Sequence, residues 1–519
     1  MSKKIILAGP FTKGSIFQTR FVSPPLGVHY IASWLNSHGH NAEVWDCNLN
    51  GETETFEFAL MREKPDIIAF SDLDATIEYT LPQIYTAKKT CPEAILVAGG
   101  TGPTLNYQTY FEKSPLDMVI LAEGEQPMLD LCNGKPWQDI DGVVFRKYAK
   151  QLTLEDYSQI RMNLDIEKMH SDKYWEKTAK MYPNPDPTMI NTFRLHTMNF
   201  CPMGCNFCTL THLRKYSCGK SGHVLALSGK QVVSLIVKTL KAYPECKNIY
   251  MTDDDTFFLP SRAEDLCNSI ILAKANGILP DELKFICVTN INRLNEDNLM
   301  LMAGAGVKIL SIGIESTSRH VLESYNKKQT PEQIFNVTEM IIRHGIKPYY
   351  TAIMFSPAGT VDDLMIDLTG FRKLADMGAG LSVEQYLIPL KGTTFHERGM
   401  RQRIRECKIG DTGLSIYKGF AWLPEDPVTR KVFEEFERIY PKFRKWRIDT
   451  IENKHFEKNL QAHSILDCLE FVLRERFGYK IKNPKLLDSD IVKIELALIS
   501  GKDMEIDVVG TLIEKEDLH

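Results

Sequence analysis

The chain has 519 residues, a formal net charge of −5 and 25% charged residues. Such a length suggests about three domains, each able to bury its own core. The slight acidity gives no general attraction to nucleic acid or anionic membranes, and no uncharged apolar run reaches the roughly 18 residues of a membrane span.

Residues 1–150 alternate strand and helix signals. After the charged tip Met1–Lys4, which has the form of a strand start rather than a signal peptide, short apolar runs at 5–7, 42–45, 67–70, 94–98 and 118–121 read as buried strands. Leu26–Leu35, Leu81–Thr90 and Gln126–Cys132 carry helical periodicity. The alternation predicts an α/β, doubly wound, Rossmann-like parallel sheet, with Gly142–Arg146 as an added hairpin. Residues 151–190 are polar, carry Pro183, Pro185 and Pro187, and read as a linker with short helices.

A second alternation fills residues 191–395. Strands are expected at 192–197, 249–252, 285–288, 308–312, 348–354 and 381–387, with helices between them such as 229–242 and 332–344. Six strand–helix units make a partial (β/α)6 barrel rather than a closed eight-stranded one. Residues 396–519 are mixed and mainly helical, with helices expected at 427–444 and 463–477, and stand where a third domain could cover a substrate. In that region the aromatic run Tyr417–Trp422 fits a core better than a pocket. The basic run Arg401–Arg405 fits a solvated helix face.

The 12 cysteines are too few in so long a chain to read as a disulfide framework, so a reducing, cytoplasmic compartment is expected. Three of them are not scattered. Cys201, Cys205 and Cys208 form a C-x3-C-x2-C run directly after the first strand of the second alternation. Three thiolates on one tight loop can hold three irons of a [4Fe-4S] cube and leave the fourth open to a ligand. The C-terminal ends of such strands are also where active sites collect.

The triad and its flanks resemble the radical S-adenosylmethionine (SAM) superfamily. The resemblance implies that the open iron chelates SAM and that an electron from the cluster cleaves it to a 5'-deoxyadenosyl radical. Further strand ends agree. In Thr252–Asp255 the resemblance implies a contact to the SAM amino group through Asp253 or Asp254, although three adjacent carboxylates also suit a solvated turn. Thr289-Asn290 suggests that Asn290 bonds the SAM carboxylate or ribose. Ser311–Ser316 resembles the segment in which a glutamate, here Glu315, reaches SAM. Phe355–Thr360 and Ile388–Thr394 match the glycine turns after the fifth and sixth strands.

The first domain has no G-x-G-x-x-G after its first strand, so a dinucleotide site lacks support. Instead Ser71-Asp72-Leu73 ends the third strand and Gly99-Gly100 the fourth. With Pro24–Gly27 and Ala122–Glu125, they resemble the cobalamin-binding radical SAM family. Small residues at those strand ends let the nucleotide tail of cobalamin lie against the sheet edge. The resemblance implies cobalamin contacts at Ser71, Leu73, Gly99, Gly100 and Glu123. The D-x-H-x-x-G element that supplies a cobalt ligand has no counterpart in Pro10–Ser15, so cobalamin is expected without a histidine axial ligand. The nearest histidine, His29, reads as helix packing.

The resemblance implies three cofactors: a [4Fe-4S] cluster, SAM and cobalamin (vitamin B12). It implies an enzyme that methylates an unactivated carbon through the 5'-deoxyadenosyl radical and methylcobalamin, with a flavodoxin or ferredoxin as reductant and a small-molecule, lipid or peptide substrate. Two other readings stay open: a non-methylating rearrangement or oxidative cyclisation, and a non-catalytic cobalamin-binding sensor.

Overall fold

Strands rich in Ile, Leu, Val and Ala on both faces form only where helices cover both sides of a parallel sheet. The computed structural model describes residues 2–11, 23–73, 76–144, 153–181, 190–210, 213, 224–387, 393–397, 404–406, 420–450 and 460–499. Its first sheet comprises β1 (Lys4–Ala8), β2 (Asn41–Trp45), β3 (Ile67–Ser71), β4 (Ile95–Gly99) and β5 (Met118–Val119). The strands are parallel in the order β2-β1-β3-β4-β5. Side chains alternate across it. Ile5 and Leu7 pack under α1 (Leu26–Ser37), while Ile6 and Ala8 pack under α2 (Phe56–Glu63) and α3 (Ile77–Thr90). α4 (Thr101–Lys113) joins the α2 face and α5 (Glu125–Cys132) the α1 face. The hairpin expected at Gly142–Arg146 is reduced, among the described residues, to one antiparallel bridge between Ile120 and Val143.

The linker forms α6 (Leu154–Met162) and α7 (Ser171–Met181) and bonds to both neighbours. Asn163 donates to the Ser33 carbonyl at 2.9 Å and the Lys177 ammonium to that of Asn48 at 2.7 Å. On the other side, the Trp175 indole donates to the Thr192 carbonyl at 2.9 Å and the Tyr243 hydroxyl to that of Ile166 at 2.8 Å.

The second sheet holds β6 (Thr192–Leu195), β7 (Asn248–Met251), β8 (Lys284–Thr289), β9 (Val307–Glu315), β10 (Lys347–Phe355) and β11 (Gly380–Tyr386). All six are parallel, in the order β11-β10-β9-β8-β7-β6, so the barrel stays open between its edge strands β6 and β11. The crossover helices begin cleanly. Ser228, Thr330 and Thr360 each close a capping box, satisfying backbone donors that a helix start leaves free. Helices Pro427–Thr450 and Leu460–Phe471 cover the β10–β11 side, where Phe355 meets Phe433 and Phe436 and Arg372 pairs with Asp467 and Glu470. Among the described residues no helix is long and apolar enough to cross a membrane.

Candidate functional site

Ser71 and Gly99 are register partners on β3 and β4, and their strands end together at one rim. Beyond that rim the loop Ser71–Leu73 is fastened by Asp72, the residue that the S-x-L pattern leaves unspecified. Its buried carboxylate accepts from the Leu73 amide at 3.0 Å, from the Thr80 hydroxyl at 2.8 Å, and from the hydroxyls of Thr76 and Tyr110. Burial still pushes its pKa up to about 6. The neighbouring turn packs against this loop backbone to backbone. Gly100 has φ +96°, and a Cβ there would stand 2.6 Å from the Asp72 carbonyl oxygen, so glycine is needed on both counts.

These strand ends open onto a cavity of about 390 Å³. Ser71, Gly99, Gly100 and Glu123 line it; Leu73 is not among the lining residues. The slot toward the sheet is apolar, with Leu7, Val28, Val97, Ile120 and Met128. The opposite wall comes from the second domain: His196, Asn199, Phe200, Leu210 and Leu213 bracket the cysteine loop. The linker residue Arg161 closes one edge. It is buried in an ion pair with Glu125 at 2.8 Å, its guanidinium 4.2 Å from the Tyr30 ring centre and 4.9 Å from that of Tyr157. His29 does not line this cavity. It is buried in α1 facing the linker, and burial lowers its pKa to about 4. Of Pro10–Ser15, residues 12–15 lie outside the described residues.

The cysteine loop follows β6 and is clamped from two sides. Asp253 accepts from the amides of Thr197 at 2.5 Å and Met198 at 3.1 Å and from the Thr197 hydroxyl at 2.6 Å, fixing the lead-in. Beyond it, the Asn206 amide donates to the Tyr325 carbonyl at 3.0 Å, and the Asn326 side chain donates to that of Gly204 at 2.7 Å. Burial pushes the Cys201 and Cys208 thiols up to about 12 and raises Cys205 as well. The thiols act on one another, Cys201 with Cys208 and Cys208 with Cys205. Among the described residues no three Cys, His, Asp or Glu side chains gather tightly enough for one metal ion. A cube places each thiolate on a different iron, so its ligands stand farther apart than those of a single ion. Three soft donors on one clamped loop fit such a cluster, whose binding would displace the thiol protons.

The other strand ends meet this loop. Asp255 bonds the Thr289 hydroxyl at 3.2 Å and the Arg293 guanidinium at 3.3 Å, and Arg293 also reaches the Met203 sulfur. Asp254 differs from both neighbours: it has no hydrogen-bonding partner among the described residues, and burial with Asp253 and Asp255 raises its pKa to about 6. Its charge acts on Cys201 and Cys208. Asn290 is buried at the end of β8, where its side chain accepts from the Asn292 amide at 3.4 Å.

Glu315 ends β9 in a strained pose. A bulge sets both Gly313 and Glu315 against consecutive β10 residues, and Glu315 has φ +64°. Asp367 holds the following turn through the Thr317 amide and the Ser316 and Thr317 hydroxyls. Lys327 completes the arrangement, 3.0 Å from the Glu315 carboxylate and 2.8 Å from the Gly313 carbonyl. Burial works against its ammonium, but Glu315 and Cys205 outweigh it and raise the pKa. Lys327 and Arg161 escape a reading of the sequence because each lies in an ordinary helical or loop stretch; only their partners mark them. The turn Phe355–Thr360 stands at the end of β10, whereas 388–392, 401–403 and 417–419 lie outside the described residues. The described part of the basic run, Ile404–Glu406, is not the expected helix face but a short strand antiparallel to Phe420–Trp422.

Comparison with known proteins agrees with this geometry. The family model described as the Radical SAM superfamily matches residues 195–368, and that of the B12 binding domain matches residues 14–131. Together they span more than half of the chain, which belongs to the B12-binding radical SAM family. The cofactors of that class are the [4Fe-4S] cluster, SAM and cobalamin. An anaerobic magnesium-protoporphyrin IX monomethyl ester cyclase of Rubrivivax gelatinosus is 24% identical over 62% of this chain, which spans only 57% of that relative. An uncharacterized methyltransferase of Pyrococcus horikoshii is 24% identical over 72% of this chain and 78% of its own. The solved structure of the cobalamin-dependent SAM radical enzyme OxsB with aqua-cobalamin bound shares the fold, with TM-score 0.69 at 15% identity, over 96% of this chain and 79% of that one.

Proposed function

We propose that this cobalamin-dependent radical SAM enzyme is a methyltransferase acting on an unactivated carbon. The observation that carries the reading is the shared cavity. One wall is the strand-end rim Ser71, Gly99 and Gly100; the facing wall, His196–Phe200, runs directly into Cys201. A methyl donor and a hydrogen-abstracting radical source would therefore lie close enough to act on one substrate. An unactivated C–H bond has no acidic proton, so polar methylation cannot reach its carbon; the bound cofactors supply the radical and the methyl group.

The chain's own groups have separable tasks. Ser71, Gly99 and Gly100 leave room for the cobalamin tail, with Glu123 at the rim. Cys201, Cys205 and Cys208 hold the cluster. Asp254, the unpartnered carboxylate beside them, is suited to the SAM ammonium, whereas Asp253 spends one oxygen on the Thr197 and Met198 amides and the other on the Thr197 hydroxyl. Glu315, held by its bulge and by Lys327, is assigned to SAM, and Asn290 at the end of β8 to the SAM carboxylate or ribose. The apolar slot excludes water.

A second reading keeps the cofactors and replaces methyl transfer by cyclisation, in line with the relative named as a cyclase. Product analysis separates them. Anaerobic protein with its cluster and cobalamin, given reductant such as flavodoxin and candidate substrates, is expected to convert SAM to both 5'-deoxyadenosine and S-adenosylhomocysteine. Turnover that yields 5'-deoxyadenosine without S-adenosylhomocysteine would replace methyl transfer by the second reading. A protein that binds cobalamin but turns over no SAM with any of them would point to a sensor.

A further inference from the structure

Among the residues that the second domain places on the shared cavity, Phe200, Leu210 and Leu213 are apolar, and the Asn199 side chain already accepts from the Leu225 amide at 2.8 Å. His196 differs from all of them. Its carbonyl accepts from the Tyr30 hydroxyl at 3.4 Å, but its imidazole has no hydrogen-bonding partner among the described residues. Burial, with the nearby Arg161 charge, lowers its pKa to about 3, so the ring is neutral at any working pH. A neutral imidazole carries one donor and one acceptor. Here both belong to a half-buried residue that lines the cavity, where a bound molecule can meet them.

The position along the cavity narrows the role. His196 lies at the edge closed by Tyr30, Glu125 and Arg161, where α1, α5 and α6 meet β6. The rim of a corrin carries neutral carboxamide side chains, each offering both an acceptor oxygen and donor hydrogens. Arg161 spends its charge on Glu125 at 2.8 Å and, having donors alone, cannot serve as the acceptor that a carboxamide also seeks. We propose that His196 is a cobalamin-binding residue contributed by the radical SAM domain, its imidazole hydrogen-bonding a carboxamide at the corrin rim. The inference rests on the reading of the cavity as a cobalamin site. It makes the second domain part of that site, so the cofactor fastens the two domains together.

The test measures cobalamin affinity of the full chain, anaerobic and with its cluster reconstituted, by equilibrium dialysis against hydroxocobalamin. Loss of a buried hydrogen bond should weaken binding of the His196→Leu variant about tenfold. His196→Gln, which keeps a donor and an acceptor, should stay within about threefold of the wild type, as one polar pair replaces another. Iron and sulfide content should be unchanged in both. If His196→Leu fails to retain its cluster, His196→Phe, closer in shape, carries the same expectation. Equal affinity of the Leu or Phe variant and the wild type would overturn the proposal. So would nitrogen superhyperfine splitting in the cob(II)alamin spectrum of the wild type that His196→Leu removes, because the ring would then be ligating cobalt rather than bonding the rim. A wild type that takes up no cobalamin would instead overturn the reading of the cavity itself, and this inference with it.

Discussion

Lys327 is the residue whose removal should expose how the Glu315 corner is held together. The pair is nearly buried, with side chains 7% and 10% exposed, and its 3.0 Å contact is joined by the 2.8 Å bond from Lys327 to the Gly313 carbonyl. Methionine at 327 keeps most of the volume and removes the cation. Deleting one partner of a buried pair costs about 3–5 kcal/mol, because the other charge stays behind in low dielectric. Glu315 already stores about 1–3 kcal/mol of backbone strain at φ +64°, so its surroundings have little reserve. The Lys327 pKa is raised in the fold; its contribution is therefore complete at neutral pH and is lost only as pH rises through that raised value. Native-state hydrogen exchange at pH 7 reads the local opening of β9 and of the helix Arg319–Ser324. Lys327→Met should lower that opening free energy by about 3 kcal/mol, and adding Glu315→Gln should restore all but about 1 kcal/mol. A single variant within about 0.5 kcal/mol of the wild type, or a coupling no larger than that, would refute the claim that this ion pair holds the corner.

Gly100→Ala should reduce cobalamin binding by at least about tenfold, since the new methyl meets the Asp72 carbonyl at 2.6 Å in a backbone region that L residues avoid; unchanged uptake would separate this turn from the cofactor. Replacing Cys201, Cys205 and Cys208 together by Ala should abolish iron and sulfide binding and 5'-deoxyadenosine formation while cobalamin uptake persists, as measured by metal analysis and dialysis. Asp72 should give the first domain an inverted pH response. Its folded pKa of about 6 exceeds the ordinary 3.8, so its contribution is complete below pH 3.8 and is lost as pH rises toward 6. That loss is about 3 kcal/mol. The β3 amides should exchange faster at pH 6 than at pH 4 after correction for intrinsic rates, and Asp72→Asn should remove this component.

Short apolar strands between amphipathic helices are a local pattern, and so the sequence by itself determined the two α/β sheets. β6 to β11 fall within a few residues of the runs at 192–197, 249–252, 285–288, 308–312, 348–354 and 381–387, and the helix 229–242 lies where periodicity put it. The cysteine triad was equally legible, because its meaning lies in spacing along one loop. The helix Thr101–Lys113 was not, since its Gly, Pro and polar residues form helix only when packed behind β4. Nor did spacing distinguish Asp253 from Asp254: adjacent carboxylates look alike until one is seen bonding three groups of the cysteine loop and the other none. Lys327, Arg161 and His196 acquire meaning only from groups far away in the chain. Lys327 needs the bulge that aims Glu315; Arg161 and His196 need the linker that brings two domains onto one cavity. Local propensity acts between neighbours in sequence, whereas burial, ion pairing and cavity shape act between neighbours in space, and those the tertiary structure alone decided.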